Sequence, residues 1–325
     1  MNLPTFTPVL ASLIPVILLI FVGFVAARAQ WLRPESVKDL STLLFLVLTP
    51  ALMFRTMSRV HLQSLNLLPI AAYFTAAVAL FVAVVWVGRG TRRAAALAIS
   101  ATFGNTVAIG IPLIGLAYGE AALVTLFTIV AVHALILLTL TTVVFELAVA
   151  RESTPHSSLG HSASGARRLM VNMAVAVKNG IINPATLPTL LGLAFAQTGW
   201  ALPGALDNTL KLLAGAMGPV ALMLVGATLF GARVGELARP TLSLALLKNA
   251  LLPLLVAASG WAWGLSGLTL TVMVVAAAMP IGANAFLFAQ RYNVAQPLVT
   301  ASVAVSAALA LVTVSIVMAV AAVLG

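Results

Sequence analysis

The chain has 325 residues, of which 62% are hydrophobic and only 7% charged, against about 25% charged in a soluble protein. That composition excludes a soluble globular fold, and the absence of cysteine excludes disulfides and thiolate metal sites. A net charge of +10 would suggest nucleic acid only if the basic residues clustered; they stand singly or in small groups between apolar runs, as topology signals do.

The apolar residues fall into runs of about 20, the length that crosses roughly 30 Å of hydrocarbon. The runs are continuous rather than alternating, which argues against a β-barrel. Ten spans are predicted, at about 9–28, 39–57, 66–88, 94–117, 121–147, 182–200, 209–231, 240–264, 268–290 and 297–324, each bounded by charge, proline or glycine. The opening MNLPTFTPVL lacks the basic stretch of a cleaved signal peptide, so the first run is expected to be a retained helix. The long polar segment, about 150–168 (RESTPHSSLGHSASGARR), reads as a flexible cytoplasmic linker. It divides the chain into halves of five spans, 1–149 and 169–325, and LMVNMAVAVKNGI at 169–181 reads as a short surface helix.

One set of alternating loops holds Arg28, Arg33, Lys38, Arg89, Arg92, Arg93, Arg151, Arg167, Arg168, Lys178, Arg233, Arg239 and Arg291; the other holds Arg55, Arg59 and Lys211. The bias puts the first set in the cytoplasm and both termini outside it. Five spans per half invert the second half relative to the first. Pro15 and Gly23 recur as Pro184 and Gly192, and Pro50 as Pro219, all at one offset. On this repeat the fourth span corresponds to the ninth. Inverted repeats are typical of secondary transporters, whose sites lie near the midplane at discontinuous helices.

Two spans are poor candidates for unbroken helices. The fourth carries Gly104, Asn105, Gly110 and Pro112; the ninth carries Pro280, Gly282 and Asn284. Proline removes an intrahelical hydrogen bond, and glycine permits unusual dihedrals and close approach. Unpaired backbone groups in hydrocarbon cost several kcal/mol each, so such breaks survive only inside protein or beside a wet cavity. If the breaks cross, two helix N-termini with about +0.5 charge each meet there, a site for an anion. Asn105 and Asn284 would add amide donors without fixed charge.

His133 lies near the centre of the fifth span, an ionisable residue that is a candidate for proton coupling or for a plain interhelical hydrogen bond. Lys248, about two turns from the cytoplasmic end of the eighth span, either snorkels to the interface or balances substrate charge. Glu120 reads as the N-terminal residue of the fifth span and Glu146 as structural at a cytoplasmic end. No Asp or Glu lies deep in any span, which leaves amides, hydroxyls and helix dipoles and favours an anionic substrate. No P-loop, nucleophile elbow or zinc helix motif is present, so neither enzyme activity nor a cofactor is expected.

The run GNTVAIGIPLIGLAYGEAAL from Gly104 resembles the broken fourth span of the auxin efflux carrier family; AAAMPIGANAFLFAQRYNV resembles its ninth, and NPATLPTLLGLAF its sixth. The resemblance covers essentially the whole chain. It implies an all-α polytopic membrane protein of ten transmembrane helices, in two inverted five-helix repeats with broken helices 4 and 9 crossing, related in fold to bile-acid transporters and sodium–proton antiporters. Spans one, two, six and seven would form a scaffold, often homodimeric, and the others a transport domain moving as an elevator. In plant members the crossover asparagines contact the substrate carboxylate, a role the resemblance implies for Asn105 and Asn284. Bacterial members are commonly malonate or other organic-acid permeases. Gly104 stands where many members carry serine, and the long cytoplasmic loop of the plant carriers is absent. The expectation is a carrier of a small organic carboxylate in the lipid bilayer of a bacterial inner membrane. A channel or receptor on the same fold, and a sodium-coupled transporter, are the alternatives.

Overall fold

The computed structural model describes residues 6–60, 66–152, 186–230 and 238–324, with isolated positions between 170 and 184. Most of the expected linker and surface helix therefore lie outside the described residues, although helix continues through Glu152, into the start of the predicted linker. The described residues form helices joined by turns and short extended stretches. In chain order they form α1 (Phe6–Arg28), α2 (Pro34–Met57), α3 (Leu68–Val87), α4 (Arg92–Thr102), α5 (Ile111–Glu152), α6 (Thr186–Ala196) and α7 (Gly204–Phe230). Then follow α8 (Arg239–Ala262), α9 (Gly267–Ala278), α10 (Ala283–Arg291) and α11 (Gln296–Leu324). Among the described residues, six helices are long and apolar enough to cross a membrane: α2, α3, α5 with the turn before it, α7, α8 and α11.

Three π turns interrupt these helices, at Leu44–Leu48, Thr106–Gly110 and Leu247–Leu251. Each ends two residues before a proline: Pro50, Pro112 and Pro253. A proline ring presses on the carbonyl four residues back, and the widened turn gives that carbonyl room while the residue before the proline bonds five residues back. In the third turn the extra residue brings adjacent side chains, Lys248 and Asn249, into the interior together; both are fully buried.

α5 is two helices merged. Gly119 (φ 77°, ψ −172°) kinks it, which separates the short segment after the fourth-span break from the long predicted fifth span. Only glycine adopts that conformation without strain.

The helices sort into two groups by packing. In the first, α1 packs on α7, and α2 packs on both α6 and α7. These contacts are backbone-close. A Cβ on Gly23 would collide with the Met223 carbonyl, and one on Gly226 with the Ile20 carbonyl. A Cβ on Gly192 would lie 2.7 Å from the Phe54 oxygen and 3.0 Å from Met57 Cβ. Small residues that let helix backbones approach are the usual means of association where lipid removes the hydrophobic drive. The second group comprises α3, α4, α5 and α8–α11, with α3 against α4 and α8, and α11 against α8 and α9. Outward faces carry large apolar side chains such as Phe21, Leu254, Ile316 and Val320. The buried core is rich in alanine: Ala94, Ala95, Ala96, Ala98 and Ala101 on α4, and Ala276, Ala277 and Ala278 on α9.

Candidate functional site

The two interrupted segments meet inside the second group. α4 stops at Thr102, Phe103 turns into extended backbone (ψ 109°), and the chain re-enters a helix after Asn105. α9 stops at Ala278, Met279 is extended (ψ 145°), and α10 begins after Gly282. Gly104 and Ile281 form an antiparallel bridge. The Asn105 N–H donates to the Pro280 carbonyl at 2.7 Å, and the Gly282 N–H donates to the Phe103 carbonyl at 2.9 Å. Each break thus satisfies backbone groups of the other, which answers the cost of exposing them to hydrocarbon.

The glycines serve space rather than dihedral freedom. None of Gly104, Gly110 and Gly282 has positive φ. A Cβ on Gly282 would lie 2.8 Å from Phe103 Cδ1 and 3.1 Å from the Gly104 oxygen. At Gly110 it would meet Met279 Cγ at 3.3 Å, and at Gly104 the Lys248 ammonium at 3.2 Å.

The half-helix that continues into α5 opens at Asn105, whose side chain accepts the Ala108 N–H at 3.3 Å and so serves as the N-cap. Asn284 lies in the first turn of α10, half-buried, with its amide unpartnered among the described residues. The opening N–H groups of both half-helices have no carbonyl partners within their own helices, and both asparagines stand at these positive ends.

Not every predicted site residue is at the crossing. Pro112 packs toward α7, where a Cβ on Gly218 would lie 3.4 Å from its ring. His133 sits behind the crossing, 2% exposed, stacked on Phe103 with ring centroids 4.5 Å apart and edge-on to Tyr73 at 5.9 Å. The Nε2 atom of His133 and the hydroxyl of Tyr73 are buried without partners among the described residues. Lys248 does not snorkel. It is fully buried, and its ammonium donates to the carbonyls of Ala277 (2.5 Å) and Met279 (2.7 Å).

Two residues at the crossing escape a reading of charges and breaks. Asn249 donates to the Ser306 carbonyl at 2.8 Å and accepts from the Ser306 hydroxyl at 2.6 Å. The Ile281 N–H in turn donates to that hydroxyl at 2.9 Å. All three groups are buried, where a lost partner costs about 1–3 kcal/mol. The available signal was the adjacency of Asn249 to Lys248 upstream of Pro253.

A cavity of about 960 Å³ opens between the α1–α2 connection, α7 and α11. Arg28 and Arg33 line its mouth, and its wall on α11 runs from Thr300 to Ala307, next to the crossover residue Ser306. At the opposite end of these helices, Arg55 and Arg59 grip Asp207 at 2.9 and 2.8 Å. Arg55 also approaches Glu120, beside the Gly119 kink, at 3.7 Å. Glu146 accepts from the Tyr292 hydroxyl at 3.0 Å and joins α5 to the end of α10, a structural role. A smaller cavity of about 380 Å³ lies between α8, α9 and α11; walls such as Leu254, Leu270 and Val317 make it unlike an anion site.

Comparison with known proteins shows the family of the chain. The chain is 29% identical to auxin efflux carrier component 8 of Arabidopsis thaliana over 234 residues, 61% of this chain and 63% of the carrier, so the match spans less than two thirds of that protein. It is 25% identical over 311 residues, 91% of each chain, to a Rhizobium meliloti (strain 1021) protein named "Putative malonate transporter". Such names denote transporters rather than enzymes. The family described as membrane transport protein matches residues 8–318, and on that near-complete match the chain belongs to this family, that of the auxin efflux carriers.

Proposed function

We propose that the protein is a secondary transporter of a small organic carboxylate, which binds where the two interrupted helices cross. The observation that carries this reading is the pair of backbone hydrogen bonds joining Asn105 to Pro280 and Gly282 to Phe103. Two positive helix ends are thereby held together, with asparagine at each and no acidic side chain among them. Opposed N–H groups and amides grip a carboxylate by charge-assisted hydrogen bonds and release it without a fixed opposite charge. Family membership and the relative named for malonate transport support a carboxylate substrate.

In this reading the chain spans the membrane ten times as two inverted repeats of five, the short and interrupted apolar helices completing the count. Support comes from the repeated glycines: Gly23 packs α1 on α7 of the other half, and Gly192, at the same offset, packs α6 on α2. α1, α2, α6 and α7 form the scaffold, a homodimer contact through it included, and the other helices form a transport domain that moves past it as an elevator. Pro112 against Gly218 lies on that sliding boundary. The cavity beside Arg28 and Arg33, together with the ion pairs at the opposite end, supports reading this as the inward-open state of a bacterial inner-membrane carrier with both termini periplasmic.

The test is uptake of labelled mono- and dicarboxylates into proteoliposomes. Saturable uptake of at least one small carboxylate is expected, with no uptake of organic cations; ohmic, non-saturating flux would favour a channel, and binding without flux a receptor. His133 is the candidate for a proton-coupled step, supported by an Nε2 behind Phe103 that has no partner among the described residues. His133→Gln is expected to flatten the pH dependence of uptake, and an unchanged profile removes the histidine from the mechanism.

A further inference from the structure

The crossing has four helix ends, and the binding reading uses two of them. The other two, the C-termini of α4 and α9, each carry about −0.5 charge and face the protein interior. In a membrane such ends need a cation or a dense set of donors. The ammonium of Lys248 is where that cation belongs. It is bound to two carbonyls at the end of α9, Ala277 and Met279. It also lies beside Gly104, two residues beyond the end of α4, at a point where any Cβ would stand 3.2 Å from it. No carboxylate pairs with it among the described residues. The lysine is fully buried, so its charge is balanced by these carbonyl ends rather than by solvent or an acid.

We propose that Lys248 is a resident counter-ion. Its tethered ammonium occupies the carbonyl-lined position at the crossing that a small monovalent cation would otherwise fill. The protein therefore carries its anion without a co-transported metal ion, and removal of the ammonium creates a cation site. The charges add up simply. One unit on Lys248 offsets the two half-charges of the C-terminal ends, which leaves the two N-terminal ends, about one positive unit together, for a single carboxylate. Gly104 belongs to the same device, because a larger residue would occupy the space that the ammonium uses. The inference rests on the crossing being the substrate site.

The test measures thermal unfolding of the purified full-length protein in choline, sodium or ethylammonium chloride at equal ionic strength. The wild type is expected to unfold at the same temperature in all three. Lys248→Ala is expected to lose stability in choline and to recover several degrees in sodium or ethylammonium. Lys248→Met, which fills the volume without the charge, is expected to stay below the wild type in every salt, and Lys248→Arg to fall between wild type and Lys248→Met. Sodium stabilisation of the wild type would overturn the proposal. So would a Lys248→Met protein as stable as the wild type, or a Lys248→Ala protein that no cation restores. This readout needs no substrate, so its failure is distinct from failure of the carboxylate reading, which the uptake assay decides.

Discussion

Gly226→Ala should destabilise the protein by about 1–3 kcal/mol, the usual cost of overpacking, and Gly226→Leu should prevent it from folding. A Cβ at 226 lands on the Ile20 carbonyl and within 2.8 Å of the Phe24 nitrogen, both of them backbone, so no side-chain rotation relieves the collision. Relief would require α1 and α7 to separate along a contact that the reciprocal glycine, Gly23 against Met223, also sets. The same argument applies to Gly192 between α6 and α2. The measurement is thermal unfolding of the purified protein. A drop of several degrees is expected for each single alanine variant, and an unchanged midpoint would show that the helix pairs are looser than described.

Gly282→Ala should have a smaller effect on stability and a larger one on transport. The added methyl group would lie 2.8 Å from Phe103 Cδ1 and 3.1 Å from the Gly104 oxygen. Phe103 cannot easily move, because its ring is stacked on His133 at 4.5 Å. The crossing must open instead, at the expense of the 2.9 Å bond from Gly282 to Phe103, and both helix N-termini then shift. A loss of 1.4 kcal/mol in binding is a factor of about ten, so the apparent affinity for carboxylate should fall roughly tenfold or more. Wild-type uptake kinetics in this variant would mean that the crossing does not hold substrate.

Much of this was legible in the sequence. Apolar runs and the low charge fraction give a helical membrane protein, and the proline–glycine clusters around Asn105 and Asn284 mark the two breaks. The offsets of Gly23 and Gly192 correspond to two equivalent backbone contacts. The direction of side chains within a span was harder to read. Lys248 sits close enough to a helix end for snorkelling to be a reasonable expectation, and only the π turn before Pro253 turns it inward with Asn249. Ser306 lies in an apolar helix with nothing to distinguish it from Ser302, which bonds its own helix; its partners are more than 20 residues away in sequence. Pro112 belongs to the motif of the break by sequence but packs toward α7, because the π turn carries the chain away from the crossing before the proline is reached. Gly119 resembles the other glycines of its motif, yet its positive φ alone divides α5.

The central claim is that a carboxylate is held between the two interrupted helices by Asn105 and Asn284. The direct measurement is concentration-dependent carboxylate uptake in proteoliposomes by wild type, Asn105→Ala and Asn284→Ala, with unfolding midpoints as controls. A hydrogen bond to a charged group contributes about 1.5–3 kcal/mol, so each variant should lose roughly 10- to 150-fold in apparent affinity. Asn284→Ala should do so with little change in stability, since its amide has no partner among the described residues. Asn105→Ala should also lose about 1 kcal/mol of stability with its N-cap. Uptake unimpaired in both variants would contradict the account.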